Sequence, residues 1–281
     1  MVGIDSFAVV GARRGYRRRV SSDAESANGS RLGGWGGLTE VSQVGQTVRR
    51  TGGSWTPTVH ALLGHLAQIG FPGAPRPIGI DEDGREILSF VDGGGPSHSH
   101  DELARVAQLL RGLHDATESF RAPQDARWQF MVGAPTAGDV VCHNDLSPDN
   151  TIYGSDHTPH AFIDWDLAAP APRVWDVAWA VYRFVPLYDD RTCERLGYPV
   201  PSRPARLRIF CDAYGLDDRN ALLPTVSERI RALYETARSW GEAGKPGWRE
   251  VWRDTHGQQW LGGLRYVEAN RPTWERELSA G

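Results

Sequence analysis

Residues 140–153 read VVCHNDLSPDNTIY, and soon after residues 161–168 read AFIDWDLA. His143, Asp145 and Asn150 crowd a polar bend behind an apolar run; Asp164 and Asp166 follow a second such run. An Asx-rich turn between strands accounts for the composition alone. The residue types also suit phosphoryl transfer. Asp164 and Asn150 offer hard oxygen ligands to Mg²⁺, with Asp166 as a further carboxylate. Asp145 can accept a hydrogen bond from an attacking hydroxyl and aim it at a terminal phosphate. Positioning and charge neutralisation account for most of the catalysis in such reactions, so few side chains suffice. For these groups to meet, the runs 140–142 and 161–163 are expected to pair side by side, bringing both carboxylates and Asn150 to one end of a small sheet.

The rest of the chain must supply the frame. RLGGWGGLTEVSQVGQTVRR reads as a glycine-rich turn followed by strands at 39–44 and 47–50 around Gly45-Gln46. SWTPTVHALLGHLAQIG reads as a helix: Pro57 suits its first turn, Leu62, Leu63, Leu66 and Ile69 recur at helical spacing, and Gly70 ends it. REILSFV is a strand, and residues 101–119 form an amphipathic helix on Leu103, Val106, Ala107, Leu110 and Leu113. HSHD, residues 98–101, reads as its cap. Beyond Trp175 the pattern is helical to the end. The expected class is therefore α+β and two-lobed: a β-rich small lobe at 31–92, a larger, mostly helical lobe at 93–281, and a cleft between them. Residues 1–30, rich in Arg, Ser and Gly, are expected to be a disordered basic leader.

Composition narrows the partners. The chain has 281 residues and a net charge of −4, so the whole molecule has no general affinity for nucleic acid. No apolar run is long enough for a membrane span. Three cysteines, Cys142, Cys193 and Cys211, have no zinc-ligand spacing and suit a reducing cytoplasm as core thiols. Trp175, Trp179, Trp240 and Trp260 sit in apolar helical patterns and are expected in the core.

The H-x-D-x-x-x-x-N spacing in HNDLSPDN, followed by IDWD and then RVWDVAWAVYRF, resembles the catalytic and metal-binding loops of the aminoglycoside phosphotransferase family, which has the protein-kinase-like fold. The stretch IDWDLAAPAPRVWDVAWAVYRFVPL also resembles phosphotransferase-fold proteins known as trifolitoxin immunity proteins. The resemblance implies a small-molecule kinase using Mg²⁺ and ATP or GTP. It implies Asp145 as the catalytic Asp, His143 as a structural anchor, Asp176 as a brace for the loop, and Asn150 and Asp164 as metal ligands. It also implies that backbone groups at Ser89, Phe90 and Val91, in ILSFVDG, meet the nucleobase.

The small lobe departs from the family pattern. Lys245 is the chain's only lysine, so the lysine that grips nucleotide phosphates in kinase-like proteins is absent. Arg49 or Arg50 in TVRR stands in for it. The helix that should carry the partner glutamate offers only His60, so the usual ion pair is expected to be missing. Gly34 and Gly36 in GGWGGL offer backbone amides to phosphate. Acids beyond residue 183, among them Asp189, Asp190, Glu194 and Asp212, are candidates to meet a cationic acceptor. Two functions follow. One is a kinase acting on a hydroxyl of an aminoglycoside-like antibiotic, natural product or metabolite. The other is a kinase-fold binding or immunity protein that sequesters a peptide antibiotic or ligand. A metal-dependent hydrolase built on His143, Asp145 and Asp164 leaves Asn150 and the helical tail without a role.

Overall fold

The computed structural model describes residues 30–32, 41–200, 202–245 and 247–279. Gly34, Gly36 and residues 1–29 of the expected leader lie outside the described residues.

The small lobe is an antiparallel sheet in the order β1-β2-β3-β5-β4, formed by β1 (Ser30–Leu32), β2 (Val41–Val44), β3 (Thr47–Thr51), β4 (Pro77–Ile80) and β5 (Arg85–Ser89). β2 and β3 are joined by the tight turn at Gly45-Gln46, where Gly45 takes φ 60°; a side chain there would be strained. β4 was not evident in the sequence: four residues opening on proline give almost no alternation to read. Helix α1 (Thr56–Gln68) has proline in its first turn and buries Val59, Leu62, Leu63 and Leu66. These side chains and Leu88 of the sheet join one core that runs on into the large lobe.

Helix α2 (His100–Thr117) opens that lobe, capped by Ser99, whose hydroxyl accepts from the Glu102 amide at 3.1 Å. Next come β6 (Val140–Cys142), a single 3₁₀ turn (Pro148–Asn150), β7 (Thr151–Tyr153), β8 (Pro159–Phe162) and β9 (Ala169–Ala171). The expected pairing of the two runs that carry the carboxylates is wrong. β6 pairs with β9, and β7 pairs with β8. The reason is local: β7 and β8 are close enough in sequence to fold back as a hairpin, so β6 takes a later partner. That partner is APA, which carries no strand signal of its own.

Helices α3 (Arg173–Phe184), α4 (Asp190–Leu196), α5 (Arg203–Tyr214), α6 (Leu222–Glu242), α7 (Trp248–Thr255) and α8 (Gln258–Ser279) complete the lobe. α3 buries nearly every side chain, Trp175 and Trp179 included. The three cysteines are buried and unpaired. Trp240 and Trp260 are only half-buried, in contrast to Trp175 and Trp179. Among the described residues no helix is long and apolar enough to cross a membrane.

Candidate active site

The bend after β6 is pinned from behind. Asp176, fully buried in the first turn of α3, accepts the His143 amide at 2.8 Å on one oxygen and the Asn144 amide at 2.9 Å on the other. His114 of α2 donates from Nε2 to Asp176 at 3.2 Å, and its Nδ1 lies 2.7 Å from the Tyr214 hydroxyl. Burial alone would raise the Asp176 pKa. The hydrogen bonds from His114 and the His143 amide outweigh it and hold the carboxyl below its ordinary value. Asn144 sits at φ 65°, a left-handed conformation that asparagine tolerates. Its side chain donates to the carbonyls of Leu167 at 3.0 Å and Ala169 at 3.4 Å, and its own carbonyl accepts from buried Arg229.

His143 ties the two loops together. Its Nδ1 accepts the Asp145 amide at 3.2 Å, so Nε2 carries the proton that it donates to the Ile163 carbonyl at 3.0 Å. Complete burial lowers its pKa, in keeping with this neutral form. The Asn150 carbonyl accepts the Ile163 amide at 2.9 Å. Asn150 Nδ2 donates to the Asp145 carboxylate at 2.9 Å and to the Asp145 carbonyl at 2.8 Å. Asp164 follows Ile163 at φ 66°, a left-handed turn that is rare outside glycine, asparagine and aspartate. Asp145, Asn150 and Asp164 therefore converge although the strands before the two aspartates do not pair with each other. Burial, then the nearby Asp164 charge, raises the Asp145 pKa to about 7, against the pull of Arg183 and Arg229.

The small lobe supplies the opposite wall. β3 alternates, so Arg50 faces the cleft and Arg49 faces away toward Asp81 at 3.7 Å. Arg50, not Arg49, meets the carboxylates that follow β8. Arg50 Nε lies 2.8 Å from Glu86, its Nη1 lies 2.9 Å from Asp164, and its Nη2 pairs with Asp166. Burial would lower the Arg50 pKa, and the three carboxylates raise it instead. The helix supplies no glutamate; Arg50 pairs instead with one from the neighbouring strand, directly opposite it in register. His60 of α1 backs it at 3.1 Å. Trp55, at the start of α1, donates to Asp166 at 2.9 Å. The sequence reading missed Glu86, Trp55 and His114. Glu86 could have been found as an acid on the cleft-facing alternation of β5, opposite Arg50.

Two other expectations change. The amides of Ser89 and Phe90 donate to the carbonyls of Arg76 at 2.9 Å and Gln46 at 2.8 Å, so they are not donors toward a base. Three of the four acids named for a cationic acceptor are engaged locally: Asp189 caps α4 through Thr192, Asp190 pairs with Arg203, and Asp212 pairs with Arg219. The ionisable groups felt at Asp145 on that side are Arg183 and Arg229, with Arg183 lying 3.5 Å from Asp149.

Residues 133–222 match the sequence model of the phosphotransferase enzyme family. The chain is also 35% identical over 244 residues to the trifolitoxin immunity protein of Rhizobium leguminosarum bv. trifolii, covering 80% of this chain and 92% of that one. The chain belongs to the phosphotransferase enzyme family, together with that immunity protein. Solved structures agree on the fold of this phosphotransferase-family protein. A choline/ethanolamine kinase family protein from Mesorhizobium loti superposes with a TM-score of 0.56 at 14% identity, covering 89% of this chain and 91% of that one. The GDP complex of aminoglycoside 2′-phosphotransferase-IIIa gives 0.52 at 15% identity, covering 88% and 95%.

Proposed function

We propose that the protein transfers the terminal phosphate of Mg-ATP or Mg-GTP to a hydroxyl of a small molecule. The observation that carries this reading is the convergence of Asp145, Asn150 and Asp164 on one side of the cleft, opposite Arg50. The donor set fits a magnesium ion. Asn150 commits its amide nitrogen to Asp145, so its oxygen is the atom it would offer to the ion. Asp164 is 43% exposed and accepts Arg50 on a single oxygen. Asn150 and Asp164 would hold the ion, with Asp166 beside them, and the ion would neutralise charge on the phosphate oxygens.

The protein's own residues do the rest. Asp145, with its pKa raised to about 7, accepts the hydrogen bond of the acceptor hydroxyl and takes its proton as the hydroxyl oxygen bonds to the terminal phosphorus and the bond to the bridging oxygen breaks, releasing the nucleoside diphosphate. Asn150 fixes the orientation of that carboxylate. His143 anchors the loop to the Asp164 turn, and Asp176 braces the loop from behind. With the Ser89 and Phe90 amides engaged, backbone contact to a nucleobase would use the other backbone groups of residues 89–91. Buried unpaired cysteines suit a cytoplasmic setting.

The test is transfer of labelled terminal phosphate to a panel of hydroxylated acceptors: aminoglycosides, choline, hydroxy acids and seryl peptides. Transfer that requires Asp145 supports the reading. A protein that binds nucleotide and transfers to none of them favours a second reading, a binding or immunity protein that sequesters a peptide antibiotic or ligand without turnover. That reading is motivated by the 35% identical immunity protein and by Arg50, which already ties up the metal-side carboxylates.

A further inference from the structure

Arg50 faces three carboxylates, and its guanidinium is buried among them. A nucleotide phosphate can recruit Arg50 only by competing with three carboxylates, one of which, Glu86, is buried with it. The cluster of Glu86, Asp164 and Asp166 also carries more negative charge than one arginine balances. That leaves room for a side-chain cation other than Arg50 to face the phosphates beside the metal ion.

Lys245 stands at the same cleft. It is the only lysine in a chain whose other long basic side chains are all arginine. Its amide donates to the Trp240 carbonyl at 2.9 Å, which seats it just beyond α6. A Cβ on Gly241 would collide with Trp252, so α6 and α7 pack closely there, and the Trp240 ring packs edge-on against Trp248 at 5.2 Å. The Lys245 ammonium lies 3.4 Å from the Trp240 ring centroid, 6.0 Å from that of Trp55 and 2.9 Å from Gln129 Oε1. Among the described residues its partners are aromatic faces and a neutral amide, not a carboxylate. Trp55 connects it to the metal side, because the same indole donates to Asp166. Burial lowers the Lys245 pKa, and the Asp166 charge acts against that shift. An ammonium on an aromatic face is held more weakly than one in charge-assisted hydrogen bonds to phosphate.

We propose that Lys245 is the phosphate-binding cation of this site. Its ammonium extends from the Trp240 face to the terminal phosphate beside Asp166. The large lobe thereby supplies the charge that β3 commits to Glu86, Asp164 and Asp166. This rests on the nucleotide reading above.

A sole lysine can be tested by chemistry on the unmodified protein. The chain is treated with trinitrobenzenesulfonate, with and without Mg²⁺ and a non-hydrolysable ATP or GTP analogue, and Lys245 labelling is read by peptide mapping, separately from the α-amine. Nucleotide affinity of wild type and Lys245→Gln is measured by calorimetry. The expected result is strong protection of Lys245 by the analogue, and binding weakened about tenfold or more in Lys245→Gln, with a smaller loss for the diphosphate. Unchanged labelling together with equal affinities would overturn the role of Lys245 and leave the nucleotide site standing. If neither protein binds nucleotide, the nucleotide reading itself falls, and Lys245 with it.

Discussion

The two walls of the cleft are held by different forces. Behind the catalytic bend, the loop is fixed by short-range hydrogen bonds to buried partners: the His143 and Asn144 amides on Asp176, the His143 ring on Ile163, and the Asn144 side chain on Leu167. The small-lobe wall is fixed by charge, with Arg50 shared among Glu86, Asp164 and Asp166. Directional hydrogen bonds in a buried setting specify one geometry and leave no low-cost alternative. Ion pairs are less directional, and the half-exposed Asp164 carboxylate among them stays accessible to a metal ion. The bend that carries Asp145 is thus set before any ligand arrives, while the opposite wall holds Arg50 on its carboxylates and leaves Asp164 open to a ligand.

Substitutions on either wall can break or sharpen that contrast. The largest effect is expected at Asp145. Asp145→Asn should cut phosphate transfer by about 10²–10⁴-fold, with nucleotide binding intact by calorimetry; equal rates would remove Asp145 from the chemistry. Asp176→Ala leaves two backbone amides and His114 without their buried acceptor. It should cost about 3–5 kcal/mol in urea unfolding, with transfer lost as the loop relaxes. Arg50→Lys keeps the charge but loses the fork. It should cost about 1–3 kcal/mol in the same assay, whereas Arg49→Ala, on the far face of β3, should stay within about 0.5 kcal/mol. If both arginine variants behave alike, the assignment of Arg50 to the cleft fails.

The smallest effect is a pH slope. Asp145 titrates at about 7 in the metal-free fold and near 4 when unfolded, so the native state holds the extra proton between those values. Stability in unfolding titrations without metal should therefore fall as pH rises from about 4 to about 7, and Asp145→Asn should lose that component.

The comparison also explains what the sequence could reveal. The catalytic bend is contiguous: HNDLSPDN and IDWD carry their residue types and spacing in the chain itself. Helices α1, α2 and α3 were legible for the same reason, since each has its own apolar periodicity. The charged wall is assembled from three places, β3, β5 and the turn after β8, and only register joins them. Glu86 was hidden because its role follows from lying opposite Arg50. Strand β9 was hidden because Ala169–Ala171 gains its conformation from β6 rather than from local preference. The two-lobed α+β class survived these misses, because it depends on the large elements.

Calorimetric titration of wild type and Asp164→Ala with Mg-ATP and Mg-GTP tests the central claim most directly. Wild type is expected to bind at least one of them. Folding stability should rise by about 2–3 kcal/mol when the ligand is well above its dissociation constant, and Asp164→Ala should abolish both effects. No binding by wild type, or undiminished binding by Asp164→Ala, would contradict it.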